Sequence, residues 1–243
     1  MLLLGILVLL SLTGGILLAL IITHLPNVRL TPNDKALVTL VATVLGFQGA
    51  AIVWVHFFLR KHEISWGEGF GFAHRNFGQC VIIVLLALPV VLAGVVVLGK
   101  ASEWVLLELH GHLRWEWLKP QSQSAVQLLQ EQWPVSLVAL QGFVALVVAP
   151  VAEELLFRGV LYQAIKQRSH RQAALWITAI LFAMIHFYPV GFLSLIFLAV
   201  ILVFVYERTK NLFAPILLHS LFNTVNFILI VTQPKWAQDL FKT

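Results

Sequence analysis

Charged residues are scarce in this chain of 243 residues, and their scarcity decides its class. Only 11% of the residues are charged, while 60% are hydrophobic and the mean hydropathy is +0.90. A water-soluble domain carries roughly a quarter charged residues, so this composition excludes a soluble enzyme or binding module. The hydrophobic residues lie in long runs, which predicts a polytopic membrane protein of the all-α class.

Cysteine and aspartate are also nearly absent. The single cysteine, Cys80, excludes an internal disulfide framework and leaves thiol chemistry without a partner. The only aspartates, Asp34 and Asp239, lie outside the apolar runs, which argues against a membrane-embedded aspartyl dyad. No array of basic and aromatic residues is present, and a net charge of +5 is ordinary for membrane-protein loops. We therefore expect the lipid bilayer, and no nucleic acid, as a partner.

Seven apolar runs predict a helical bundle of about seven transmembrane helices. These runs are residues 2–22, 36–59, 81–98, 135–157, 173–187, 192–206 and 212–231. A helix needs about 20 apolar residues to cross a bilayer. The first run lacks a basic start and an Ala-x-Ala cleavage site, so we expect a retained span and not a signal peptide.

Lysine and arginine in short loops predict the orientation of the bundle. The loops at 60–77, 166–171 and 207–210, here called the three basic loops, share one side when the spans alternate. We predict that this side is cytoplasmic, in an inner or plasma membrane, with the N-terminus inside. The polar segment 100–134 should then be an interfacial amphipathic element on the outer side. It contains four tryptophans, as is typical of a membrane interface: Trp104, Trp115, Trp117 and Trp133.

Two adjacent acids, Glu153 and Glu154, follow a run without charge at 135–152. A carboxylate at membrane depth is costly and marks a proton relay, an ion path or a catalytic site. On a helix, Glu154 and Arg158 are i,i+4 neighbours in the favourable order for an ion pair, while Glu153 projects about 100° away. We expect Arg158 to neutralise Glu154, which points away from the site, and Glu153 to be available for chemistry. The alternative is that both glutamates share Arg158 in a structural ion pair.

A proline and a histidine support a site at this depth. Pro150 should kink the helix before the acids and leave the Leu146 carbonyl without a donor. His186, which follows Phe182 by four residues, and Glu153 each lie about 16 residues from the turn near His170. Both therefore reach about 24 Å along an antiparallel hairpin, at 1.5 Å per residue. The uncharged turn at 188–191 would then need protein or a water-filled cavity around it.

The last apolar run carries a further polar pair. His219 and Asn223 are i,i+4 neighbours on one helix face. Such a pair suits the polarisation of a carbonyl or the stabilisation of an oxyanion. The alternative is hydrogen bonding between helices, which is common for histidine and asparagine in membrane bundles.

The motifs E-E-x-x-x-R, F-x-x-x-H and H-x-x-x-N, each on its own helix and in this order, resemble those of the CPBP family. This family contains the type II CAAX prenyl endopeptidases and their bacteriocin-processing and immunity relatives, also called Abi proteins. The resemblance covers about residues 145–226. Val203 and Lys210 depart from it, because relatives often carry glycine there. The matching residues are Glu153, Glu154, Arg158, Phe182, His186, His219 and Asn223.

The resemblance implies an intramembrane endopeptidase that cleaves a membrane-associated peptide or protein, with or without an attached lipid, near its C-terminus. It implies that Glu153 and His186 activate a water and that His219 and Asn223 stabilise the oxyanion, with Glu154, Arg158 and Phe182 in support. Zn²⁺ bound by Glu153, His186 and His219 is the alternative. We favour chemistry without a metal cofactor, since the chain has no His-Glu-x-x-His motif.

On this interpretation, residues 1–134 are scaffold helices with the interfacial segment, 135–231 are the catalytic core of the same structural domain, and 232–243 are a tail. We expect the active site to open toward the cytoplasm. Two other classes stay open. A non-proteolytic scaffold or bacteriocin-immunity protein could keep the same fold. A proton-coupled transporter could use Glu153, Glu154 and Arg158 as a relay, but such folds usually have broken helices in both halves.

Overall fold

The computed structural model describes residues 17, 19–22, 24, 30–72, 76–115 and 134–232. These residues form helices and turns, with no β-strand among them, as the all-α prediction requires. Five of the helices are long and apolar enough to cross a membrane, so the chain is an integral membrane protein. We number the helices of the described residues α1 (Pro32–Lys61), α2 (Trp66–Gly69), α3 (Phe77–Leu113), α4 (Val135–Arg168), α5 (Arg171–Met184), α6 (Phe192–Thr209) and α7 (Phe213–Thr232).

The five long helices match five of the seven predicted spans, and the shorter α5 matches a sixth. The predicted first span, 2–22, lies almost entirely outside the described residues. Helix α5 has only 14 residues, which gives a length of about 21 Å. This length falls short of the hydrocarbon core of a bilayer, about 30 Å thick. The short helix is consistent with the predicted turn at membrane depth, which stays a prediction.

Helix α3 is much longer than the predicted span. It has 37 residues and ends at Leu113, whereas the apolar run ends at residue 98. The described part of the predicted interfacial segment is therefore largely a continuation of this helix. Two ion pairs at helical spacing support the extension, Lys100–Glu103 at 2.9 Å and Glu108–His112 at 3.0 Å. Two of the four predicted interfacial tryptophans, Trp117 and Trp133, lie outside the described residues.

Helix α4 is irregular around the two acids. It has π-helical geometry at Val144–Val148 and at Leu155–Tyr162, with a short α-helical part, Ala149–Glu154, between them. Pro150 lies at the start of this central part, where a proline disturbs the hydrogen bonding of the preceding turn. π-Bulges change the angular spacing of side chains and occur frequently at functional sites. The irregular backbone thus lies where the sequence predicted a kink.

The three basic loops meet at one end of the bundle. Lys166 Nζ and Lys210 Nζ each lie 2.6 Å from the Glu207 carboxylate, which joins the second loop to the third. The side-chain Nδ2 of Asn76 donates to the Thr209 carbonyl at 2.8 Å, which joins the first loop to the third. Their predicted location on one side is therefore confirmed, while the assignment of that side to the cytoplasm stays a prediction.

Candidate active site

The Glu153 carboxylate lies between two histidines from other helices. Its side chain comes from α4, His219 is on α7, and His186 lies in the turn after α5. Glu153 Oε2 is 4.0 Å from His186 Nε2 and 4.0 Å from His219 Nε2. This oxygen is buried and has no hydrogen-bond partner among the described residues. The structure therefore brings together three of the predicted site residues around one carboxylate oxygen.

His186 is held by the last turn of α5. Its Nδ1 lies 2.6 Å from the carbonyl oxygen of Phe182. A carbonyl oxygen can only accept a hydrogen bond, so Nδ1 carries the proton and donates it. The other ring nitrogen, Nε2, faces Glu153. The predicted equal depth of Glu153 and His186 along their helices is confirmed by this contact.

Glu154 contacts two positively polarised groups. Arg158 Nη1 donates to its Oε1 at 2.8 Å, which confirms the predicted i,i+4 ion pair. The same oxygen lies 3.0 Å from His219 Nδ1. The prediction that Glu154 points away from the site is therefore wrong. A carboxylate that is 0% exposed needs donors to offset its lost hydration. Arg158 and His219 both serve Oε1, while Oε2 has no hydrogen-bond partner among the described residues.

Arg158 is also buried, with only 1% exposure, and reaches a third helix. Its Nη2 donates to the carbonyl oxygen of Ala199 on α6 at 3.2 Å. The guanidinium carbon lies 4.8 Å from the centre of the Phe182 ring, within the range of a cation–π interaction. Arg158 thus connects the α4 acids to α5 and α6.

Phe182 packs against both histidines of the site. Its ring centre is 4.7 Å from that of His186 and 5.9 Å from that of His219. The side chain is completely buried. Its ring therefore restricts both imidazoles of the site. This contact explains why the F-x-x-x-H spacing places a phenylalanine one turn before the histidine.

Asn223 bonds to the backbone of α4. It lies one turn after His219 on α7, as the i,i+4 spacing predicted, and its Nδ2 donates to the Ala145 carbonyl at 2.8 Å. One of the two amide hydrogens is therefore engaged by a helix backbone. The oxyanion role that the resemblance implies stays a prediction.

The side chains around Glu153 are chemically suited to bind zinc, but they lie farther apart than zinc ligands do. Both histidines direct Nε2 inward and bond through Nδ1 to an oxygen, as zinc-binding histidines do. Zinc bonds of 2.0–2.2 Å would place ligand atoms of a tetrahedral site roughly 3.3–3.6 Å apart, and both Glu153–histidine distances are 4.0 Å. No cluster of three His, Cys, Asp or Glu residues with metal-binding geometry occurs in the described part of the chain. As they stand, these residues do not fit zinc.

Sequence reasoning missed two backbone acceptors in the site. The carbonyls of Ala145 and Ala199 bind Asn223 and Arg158, and a carbonyl carries no signature in a residue pattern. Only Ala199 has an indirect signal, because it is the small residue seven positions before Tyr206 in the sixth apolar run.

Comparison with known proteins finds a matching family and a related protein for the segment that carries the site. Residues 135–225 match the family described as type II CAAX prenyl endopeptidase Rce1-like. A segment of 97 residues is 28% identical to the protein named "Putative membrane peptidase YdiL" of Bacillus subtilis (strain 168), and it covers 40% of this chain and 39% of that relative. No solved structure matches the chain significantly. The resemblance is thereby confirmed for the segment that carries the site residues.

Proposed function

We propose that this protein is an intramembrane endopeptidase in which Glu153 activates a water molecule for attack on a peptide carbonyl. The observation that best supports the proposal is the buried Oε2 of Glu153, without a hydrogen-bond partner and 4.0 Å from two imidazole nitrogens. One water at hydrogen-bond distances of about 2.8 Å can contact this oxygen and either imidazole nitrogen. The matched peptidase family and the named membrane peptidase support the same class of reaction.

Charge balance assigns different protonation states to the two histidines. Ionised Glu153 and Glu154 beside Arg158 leave one uncompensated negative charge, which is costly in a buried site. A proton on His219 restores neutrality, because His219 lies between the two carboxylates. In this state, His219 donates from Nδ1 to Glu154 and presents Nε2–H to the reacting carbonyl oxygen. His186 stays neutral, and its Nε2 accepts a hydrogen bond from the water.

The reaction proceeds in two steps. Glu153 takes a proton from the water as the water oxygen bonds to the peptide carbonyl carbon, and the His219 imidazolium stabilises the oxyanion that forms. The oxyanion then collapses and the C–N bond breaks. The leaving amine receives the proton from Glu153, which returns to its ionised state. No step requires a group that the described side chains and one water do not supply.

The proposed substrate is a membrane-associated peptide or protein with a prenylated C-terminal CAAX sequence. This part of the proposal depends on the family name attached to residues 135–225. It also depends on a bundle whose site residues lie at membrane depth, where a lipidated C-terminus can approach from the bilayer. The aligned segment spans only 39% of the named relative, so that relative adds nothing to the substrate proposal.

The test is cleavage of a fluorogenic farnesylated CAAX peptide by the purified protein in proteoliposomes, beside the same peptide without lipid. Glu153→Gln should lower the rate about 10²–10⁴-fold, the usual contribution of a general base. Glu108→Gln is the matched control, because its side chain is 62% exposed and pairs with His112 far from the site residues in sequence. Full cleavage by Glu153→Gln would exclude Glu153 as the base, and no cleavage by the wild type would favour the non-proteolytic scaffold.

Metal content is measured on the same preparations. The proposal predicts cleavage that a chelator does not change, and equal metal content in wild type, His186→Ala and His219→Ala. One equivalent of zinc, lost in both histidine variants together with chelator-sensitive cleavage, would show that Glu153, His186 and His219 move closer and bind zinc. That result would replace the water-activation chemistry and keep the peptidase.

A further inference from the structure

The side chain of Asn223 connects α7 to the irregular backbone of α4. Its Nδ2 lies 2.8 Å from the Ala145 carbonyl, and the two residues are 78 positions apart in the chain. Ala145 belongs to the π-helical stretch Val144–Val148. The bond therefore attaches one helix of the site to the bulge that precedes Glu153 on another.

The geometry of the bulge leaves the Ala145 carbonyl without a backbone donor. At its end, the backbone N–H of Ala149 donates to the carbonyl of Val144, five residues earlier. In the same register, the carbonyl of Ala145 would accept from residue 150. That residue is Pro150, which has no N–H. The Ala145 carbonyl is partly buried, and a carbonyl shielded from water without a donor is costly. The amide of Asn223 thus replaces the hydrogen bond that the proline removes.

The bulge also affects the position of Glu153, the proposed base. Glu153 lies three residues after Pro150, in the short helical part Ala149–Glu154 that the bulge orients. Asn223 lies one turn after His219 on α7. The same helix thus carries His219 and, through Ala145, holds the backbone from which Glu153 projects. The bond of Asn223 to Ala145 therefore links the positions of Glu153 and His219.

We propose that Asn223 is a positioning residue, whose amide stabilises the π-bulge before Pro150 and so holds Glu153 at its distance from His186 and His219. This role rests on the proposed function, but it differs from that of an oxyanion donor. An oxyanion donor acts on the reacting atoms whatever residue occupies position 150. A positioning Asn223 is needed only while position 150 lacks an N–H.

The kinetic test uses this dependence on residue 150. Asn223→Ala should lower kcat about ten- to a hundredfold with little change in KM. The partly buried Ala145 carbonyl would lose its donor, which reduces the population of the reactive bulge geometry by about that factor. In a Pro150→Ala background, the alanine N–H can serve the Ala145 carbonyl, and the further loss from Asn223→Ala should shrink to less than about threefold. An equal fold loss in both backgrounds would overturn the proposal.

A second measurement does not depend on activity. Melting temperatures are compared in the Glu153→Gln protein, which cannot generate the oxyanion, with Asn226→Ala as the matched control. Asn226 lies on the same helix and donates to the Phe222 carbonyl within that helix, also at 2.8 Å. Asn223→Ala should lower the melting temperature by several degrees more than Asn226→Ala does.

This melting comparison also separates two kinds of failure. If the chain cleaves no probe, or if the Pro150→Ala protein does not fold, the comparison of Asn223→Ala with Asn226→Ala still decides the proposal. Equal melting temperatures for the two variants would show that Asn223 does not stabilise the bulge. A specific loss for Asn223→Ala would support the positioning role even where the peptidase proposal fails.

Discussion

Replacement of Glu154 by glutamine tests how the buried charges hold the bundle together. Glu154 and Arg158 are 0% and 1% exposed and are joined at 2.8 Å. Removal of one partner from a buried ion pair leaves the other charge uncompensated, which costs about 3–5 kcal/mol. For a chain of this size, that loss corresponds to roughly 6–20 °C in melting temperature. The glutamine keeps the shape of the side chain, so the loss reports the charge.

The matched control is Glu108→Gln, which removes a glutamate from a pair at the same i,i+4 spacing. Its partner is His112, and the two side chains are 62% and 75% exposed. Exposed pairs contribute little because water and salt screen them. Thermal unfolding in detergent should therefore show a large loss for Glu154→Gln and almost none for Glu108→Gln. Similar losses in the two variants would refute the assignment of a buried ion pair.

A double variant separates stability from catalysis. Replacement of Glu154 by leucine together with Arg158 by methionine removes both charges and fills similar space, which often restores stability for buried pairs. His219 would still lose its Nδ1 partner, which lies 3.0 Å away in the wild type. The double variant should thus regain much of the melting temperature but stay at least tenfold slower than the wild type. Recovery of both properties would show that Glu154 does not act through His219.

Two further predictions concern packing and topology. Gly159→Ala should destabilise the protein by about 1–3 kcal/mol, because an added Cβ would lie 2.5 Å from the Phe70 ring. Gly78→Ala is the control, because nothing lies within 4 Å of its added Cβ, and it should not destabilise the protein. Equal melting temperatures for the two variants would contradict this prediction. In a cysteine-free background, Ser122→Cys should react with an impermeant thiol reagent only from outside and Ser169→Cys only from the cytoplasm. The opposite pattern would invert the predicted orientation.

The helical nature of the long apolar runs could be predicted from the sequence because a bilayer leaves few alternatives. A chain in hydrocarbon must satisfy its backbone hydrogen bonds within each segment, so each long apolar run becomes a helix. Where water and interface replace hydrocarbon, this constraint weakens. For this reason the sequence misplaced the end of α3, which continues as a largely exposed helix to Leu113.

Spacing along single helices predicted part of the site. The i,i+4 relation of Glu154 and Arg158 predicted their ion pair, and equal distances from one turn predicted that Glu153 and His186 meet. Both inferences need only helix geometry and the local chain connection. They hold in the structure, with distances of 2.8 Å and 4.0 Å.

Only the tertiary structure decided how the helices rotate toward one another. The contact of Glu154 with His219 joins residues 65 positions apart, and the bonds of Arg158 to Ala199 and Asn223 to Ala145 span 41 and 78 positions. Two of these partners are backbone carbonyls, which every residue carries. Periodicity within a helix specifies which side chains share a face, but packing between helices and π-bulges in α4 determine what that face meets.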